Sequence, residues 1–154
     1  MNLEQLQQQF GIPNRVRFAE GRGGMTRVDL QHPSGARVEV YLHGAHVTSW
    51  QTARGREVLF VSRASHFQDG APIRGGIPVI FPQFGAGPLP KHGLARIRAW
   101  AVARTALGAD GTDKKAVLCF GLYSINYPCL SVFIRGKKRF VSFVQFWTCV
   151  TGTT

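Results

Sequence analysis

The sequence predicts a mainly β domain of short antiparallel strands, on three observations. Glycine (18) and proline (8) are frequent in the 154 residues, which breaks the chain into short segments joined by turns. Residues 36–42, Ala-Arg-Val-Glu-Val-Tyr-Leu, alternate apolar and polar side chains, the period of a half-buried strand. Glycine-containing turns at 21–24 and 53–56 recur between apolar runs, the rhythm of an antiparallel sandwich.

The elements follow in order. Leu3, Leu6 and Phe10 recur on one face, so residues 3–10 read as a short helix, ended by Ile12-Pro13-Asn14. Strands are expected at 16–20 and 26–31, separated by Gly21-Arg22-Gly23-Gly24, and then at 36–42. His43-Gly44-Ala45-His46 leads into a strand at 47–50, and the turn at 53–56 precedes one at 57–61. Val79-Ile80-Phe81 is continuously apolar and reads as a strand covered on both faces. Further strands are expected at 100–104 and 116–120, joined by a turn at 109–113.

Bulk properties narrow the class. With 44% apolar and 18% charged residues, the chain can bury a core and is not a disordered one. The formal charge of +11 raises nucleic acid as a partner, but the arginines are scattered and no helix-turn-helix, zinc-finger or RNP-like pattern is present, so none is expected. Cys119, Cys129 and Cys149 are odd in number and lack metal-ligand spacing, which reads as reduced thiols in a cytoplasmic protein with no metal. The N-terminus has neither the basic nor the apolar region of a secretory signal.

Composition changes near Phe120. No Asp or Glu follows Asp113, and Arg135, Lys137, Lys138 and Arg139 cluster among uncharged, aromatic-rich runs. A membrane-associated hairpin is one reading, since 117–134 is about as long as a bilayer-spanning helix. Ser124, Asn126, Pro128 and Ser131 weaken it. The favoured reading divides the chain into a domain at 1–120 and an aromatic, basic tail at 121–154 foreign to it.

The richest stretch is 73–100. Arg74 precedes Gly75-Gly76, which permit positive φ and a ligand close to the main chain, beside a guanidinium whose fork matches phosphate oxygens. Lys91, His92 and Arg96 add two cations and an imidazole, and an extended 92–96 would place His92, Leu94 and Arg96 on one face. Pro78, Pro82, Pro88 and Pro90 stiffen the backbone between them. Singly, each feature is also what an ordinary turn or a structural histidine would show.

Arg-Gly-Gly-Ile-Pro-Val-Ile-Phe-Pro-Gln-Phe-Gly at 74–85, followed by Gly-Pro-Leu-Pro-Lys-His-Gly-Leu-Ala-Arg at 87–96, resembles the paired motifs of the glucose-6-phosphate 1-epimerases of the aldose 1-epimerase (mutarotase) superfamily. Residues 40–50 and 57–62 resemble strands that precede those motifs. The resemblance runs from about 37 to 100 and more weakly to 120. It implies the N-terminal part of a galactose mutarotase-like β-supersandwich, acting on a hexose 6-phosphate without metal or cofactor. A base would take the C1 hydroxyl proton, an acid would protonate the ring oxygen, and the opened sugar would reclose on its other face.

Carried over, Arg74 and Arg96 would bind the phosphate and His92 would line the pocket near the ring. Lys91 stands where the family usually has glutamine, replacing a donor-and-acceptor amide by a donor-only ammonium. The family's acid histidine and base glutamate lie downstream, yet no histidine or glutamate follows Arg96. The expectation is therefore a truncated, inactive chain with no catalytic residue of its own, or alternatively a non-enzymatic phosphosugar-binding module.

Overall fold

A computed structural model describes residues 1–107 in full and the backbone of 115–122, 129–135 and 143–147. The chain opens with helix α1 (Leu3–Phe10) and continues into strands β1 (Val16–Glu20), β2 (Thr26–Gln31), β3 (Arg37–Tyr41) and β4 (His46–Gln51). After a long irregular stretch come β5 (Trp100–Leu107), β6 (Lys115–Leu122), β7 (Cys129–Arg135) and β8 (Phe143–Trp147). They form two four-stranded antiparallel sheets, each in sequence order. The expected mainly β, antiparallel fold is what the chain adopts.

Helix α1 begins at a capping box: the Asn2 side chain accepts from the Gln5 amide at 2.9 Å, and the Gln5 side chain accepts from the Asn2 amide at 2.9 Å. It ends at Gly11, ahead of the Ile12-Pro13-Asn14 stop. Leu6 is buried, and the Gln7 side chain accepts from the Phe18 amide at 2.8 Å, fastening the helix to β1.

In the first sheet, alternation sends Val16, Phe18, Val28, Leu30, Val38 and Val40 into one core. Register sets Val28 opposite both Phe18 and Val40, and Leu30 opposite Val16 and Val38. Leu6, Ala45, Val47, Ala95, Trp100 and Val102 complete the cluster. The opposite face carries a charge ladder in which Arg17 pairs with Asp29 at 2.8 Å and Arg27 pairs with both Asp29 and Glu39. A bulge between Glu39 and Val40 shifts the β3–β4 register, so His46, Val47 and Thr48 are all buried in succession.

Two expected strands are absent. Residues 57–61 make only isolated bridges, Gln51 with Glu57 and Val61 with Gly75. The reason is local: the Glu57 carboxylate accepts from the Ser49 hydroxyl and the Trp50, Val58 and Leu59 amides, and although Val58 also donates to the Trp50 carbonyl at 2.8 Å, the Trp50 and Leu59 amides are turned to the side chain. Residues 79–81 are neither a strand nor covered on both faces, being half-buried. Pro78 and Pro82 deprive that segment of ladder donors on either side. The remaining strands lie where expected, β5 and β6 running slightly longer.

The expected turn at 109–113 lies outside the described residues. Of the segment read as a tail, the backbone of β7 and β8 continues the second sheet, and the rest also lies outside them. No helix among the described residues is long and apolar enough to cross a membrane.

Candidate functional site

The turn between β3 and β4 is the foundation. Gly44 and Ala45 have φ of 75° and 46°, and this left-handed pair reverses the chain within four residues. The two segments carrying the expected site residues dock on it and on the start of β4. On one side, Val47 and Ile77 exchange backbone hydrogen bonds at 2.8 and 3.1 Å, while the Gly76 amide donates to the Phe60 carbonyl at 2.7 Å. On the other side, the Gly44 amide donates to Arg98 at 2.7 Å and the Trp100 amide to Leu42 at 2.9 Å. A Cβ on Gly44 would lie 3.1 Å from the Arg96 Cα and closer still to its carbonyl oxygen. That closeness requires glycine there.

Arg74 sits at the tip of the first loop and is exposed. Its amide donates to the buried Ser65 hydroxyl at 2.9 Å, and its carbonyl accepts from the Ser62 amide at 2.9 Å. The guanidinium has no hydrogen-bond partner among the described residues. Its backbone is therefore held while its charge faces outward.

Arg96 lies in a short 3₁₀ turn, Ala95–Ile97, and donates to the Lys91 carbonyl at 2.8 Å. Its Nε is buried without a partner. Lys91 is exposed. His92 has φ of 68°, stacks obliquely on Phe84 with centroids 5.3 Å apart, and buries an unpartnered Nδ1. The expected one-face arrangement of His92, Leu94 and Arg96 does not occur. The 92–97 segment curls because Leu94 and Ala95 both donate to the Phe81 carbonyl, at 3.0 and 3.2 Å. Arg96 instead approaches the β3–β4 turn from the side of Gly44.

Sequence reasoning missed His43, His46 and Ser65. Each histidine Nε2 bonds a carbonyl of the Arg74 loop, His43 to Ala71 at 2.7 Å and His46 to Gly75 at 2.6 Å. His46 is wholly buried. Burial pushes its imidazole below the ordinary pKa; the Gly75 bond pulls it partly back, and the charges of His43 and Arg96 push it down further. That influence ties Arg96 electrostatically to the histidine gripping the Arg74 loop. A His-x-x-His spacing is the available signal, but it invites a metal reading, and no cluster of potential metal ligands occurs among the described residues.

A hollow of about 620 Å³ lies elsewhere, over the charge ladder of the first sheet. Its ladder charges are largely paired with one another, as on a solvated polar face. The convergent loops make a stronger candidate, because Arg74, Lys91 and Arg96 have no carboxylate partner among the described residues.

Comparison with known proteins agrees with this architecture. A family description, aldose 1-epimerase, matches residues 26–122. The chain belongs to the aldose 1-epimerase family. Among curated relatives, a protein of Cenchrus ciliaris named "Putative glucose-6-phosphate 1-epimerase" is 44% identical over 80 residues, covering 51% of this chain and 24% of that protein. One of the same name from Escherichia coli (strain K12) is 40% identical over 85 residues, covering 53% and 29%. The chain thus spans under a third of the length of these epimerase relatives. Among solved structures, "a putative mutarotase (YeaD)" from Salmonella typhimurium aligns with a TM-score of 0.68 at 26% identity, over 82% of this chain and 45% of that one. The protein HI1317 aligns with a TM-score of 0.70 at 28% identity, over 80% and 45%. The matched family segment contains the turn and both docked loops.

Proposed function

We propose that these residues are the recognition part of a glucose-6-phosphate 1-epimerase site, binding a hexose 6-phosphate in the cytoplasm. The observation that carries this reading is the docking of the Arg74 and Arg96 loops on the β3–β4 turn and the start of β4, with Arg96 near the buried histidine that holds the Arg74 loop. A phosphate dianion offsets the repulsion of gathered cations, and arginine forks match its oxygens bidentately. Lys91 adds a third cation, and His92 with Phe84 offers a ring edge and an apolar face to the sugar.

Anomer interconversion also needs a proton donor at the ring oxygen and an acceptor at the C1 hydroxyl. The 154 residues hold no histidine or glutamate after Arg96 to serve there. In our reading the domain, placed at 1–120, supplies the phosphosugar-binding groups of such a site. Such a chain would act as a phosphosugar-binding module.

Calorimetric titration of the chain with glucose 6-phosphate and with glucose tests this. The phosphate ester binds and glucose binds at least tenfold more weakly. Arg74→Ala weakens the ester by about ten- to a hundredfold, the worth of one charged hydrogen-bond set. Equal affinity for ester and free sugar refutes the phosphate assignment. Accelerated anomerisation, followed by NMR and abolished by Arg74→Ala, would show that these groups serve turnover as well as binding.

A further inference from the structure

We propose that His46 is a positioning residue for Arg74: its neutral Nε2–H tautomer clamps the Gly75 carbonyl and so fixes the direction of the guanidinium one residue upstream. The inference rests on the reading of Arg74 as a substrate-binding cation and adds a second layer to that site.

The β3–β4 turn grips the 71–75 loop at both ends. His43 Nε2 bonds Ala71 at 2.7 Å and His46 Nε2 bonds Gly75 at 2.6 Å, across 28 and 29 residues of sequence. The left-handed Gly44-Ala45 pair lets two side chains three residues apart reach the same loop. Between those anchors the Arg74 amide is held by Ser65 Oγ at 2.9 Å and its carbonyl by the Ser62 amide at 2.9 Å. The Gly76 amide is held by Phe60 at 2.7 Å. The Arg74 amide and carbonyl, the Gly75 carbonyl and the Gly76 amide thus each have a partner, and of these the Gly75 carbonyl is the one held by a titratable group.

The tautomer follows from chemistry. A carbonyl oxygen only accepts, so Nε2 carries the proton. Nδ1 is then a lone pair, and it is buried without a partner. A second proton there would create a buried N–H with no acceptor, near two other basic groups, His43 and the Arg96 guanidinium. The clamp works in the neutral ring. With none of its surface exposed, His46 does not touch a ligand, so its influence passes through the loop.

Two substitutions separate a clamp from a filler. Glutamine at 46 retains an amide donor near the reach of Nε2 but does not titrate, whereas leucine keeps bulk and loses the donor. In calorimetry with glucose 6-phosphate, His46→Leu loses at least tenfold in affinity and His46→Gln stays within threefold of the parent. By amide hydrogen exchange, His46→Leu speeds exchange at Arg74 and Gly76 at least tenfold while Val28 and Val40 keep their protection. His46→Gln does not. A leucine variant that binds like the parent and keeps its exchange protection overturns the proposal, as does a folded glutamine variant that fails like leucine. If the leucine variant does not fold, the pH profile decides. From pH 7.5 to 5.5 the parent loses more affinity than His46→Gln, the ligand's own titration being common to both; equal losses overturn it. A parent chain that binds no hexose phosphate defeats the recognition reading alone, since the exchange data still judge the clamp.

Discussion

Gly76→Ala measures how tightly the Arg74 loop is seated, and Gly55→Ala is its control. Both glycines have left-handed φ, 62° and 77°. They differ in surroundings. A Cβ at 55 meets nothing within 4 Å, whereas one at 76 would lie 3.0 Å from His46 Nε2 and nearer still to the Val47 carbonyl oxygen. At 55 only the backbone penalty applies, about 1–2 kcal/mol less about 0.5 kcal/mol regained from the unfolded chain, hence near 1 kcal/mol. At 76 the Val47 carbonyl must also retreat, breaking its 2.8 Å bond from the Ile77 amide. That adds about 1 kcal/mol, and loosening the buried His46 donor from Gly75 adds about 1–2 kcal/mol more. The total is about 3–4 kcal/mol for Gly76→Ala against about 1 kcal/mol for Gly55→Ala. Urea unfolding followed by tryptophan fluorescence, with m unchanged, reads the difference as a shift in midpoint. Equal midpoints for the two variants would refute the reasoning, because the left-handed backbone would then account for everything and the close approach for nothing.

The low pKa of His46 makes stability depend on pH with a definite sign. Above about 6.5 the ring is neutral in both folded and unfolded chains and its contribution is complete; as pH falls below that, the unfolded chain takes the proton first and stability declines toward the lowered folded value. Urea midpoints between pH 7.5 and 5.5 fall more steeply for the parent than for His46→Gln, and parallel slopes would contradict the assignment. Asn2→Ala removes the capping side chain of α1 and lowers stability by about 1 kcal/mol, measured as a urea midpoint shift together with loss of the 222 nm helical signal.

Local period makes most of the elements legible in the residues themselves. The helix needs only Leu3, Leu6 and Phe10, and β1 to β3 need only alternation between glycine turns. The failures at 57–61 and 92–96 share a cause, namely hydrogen bonds that periodicity does not encode, whereas 79–81 fails through its flanking prolines. Residues 57–61 look like a strand until the Glu57 side chain takes the nearby amides. Burial raises the Glu57 pKa, but the Ser49 hydroxyl and the Leu59, Trp50 and Val58 amides outweigh it and hold the carboxyl below the ordinary glutamate value. Residues 92–96 look extended until the Phe81 carbonyl gathers two of their amides. At the site, Arg74, Lys91, His92 and Arg96 stand out because their residue types and flanking turns carry chemical meaning. His43, His46 and Ser65 do not, because they act on backbone carbonyls and amides 9 to 29 residues away. A buried histidine in a turn announces nothing about what it grips.

Because both cation-bearing loops are fastened to the same β3–β4 turn, the site has one mechanical mounting. Arg74 rides on a loop held by His46 and Val47 at the start of β4, and Arg96 on a segment held by Leu42 and Gly44 of the adjoining turn. Motion of either loop by itself must first break the hydrogen bonds to Val47, His46 or Gly44 that fasten it. The backbones that carry the two arginines thereby share one mounting at the end of the first sheet, which favours preorganisation of both loops.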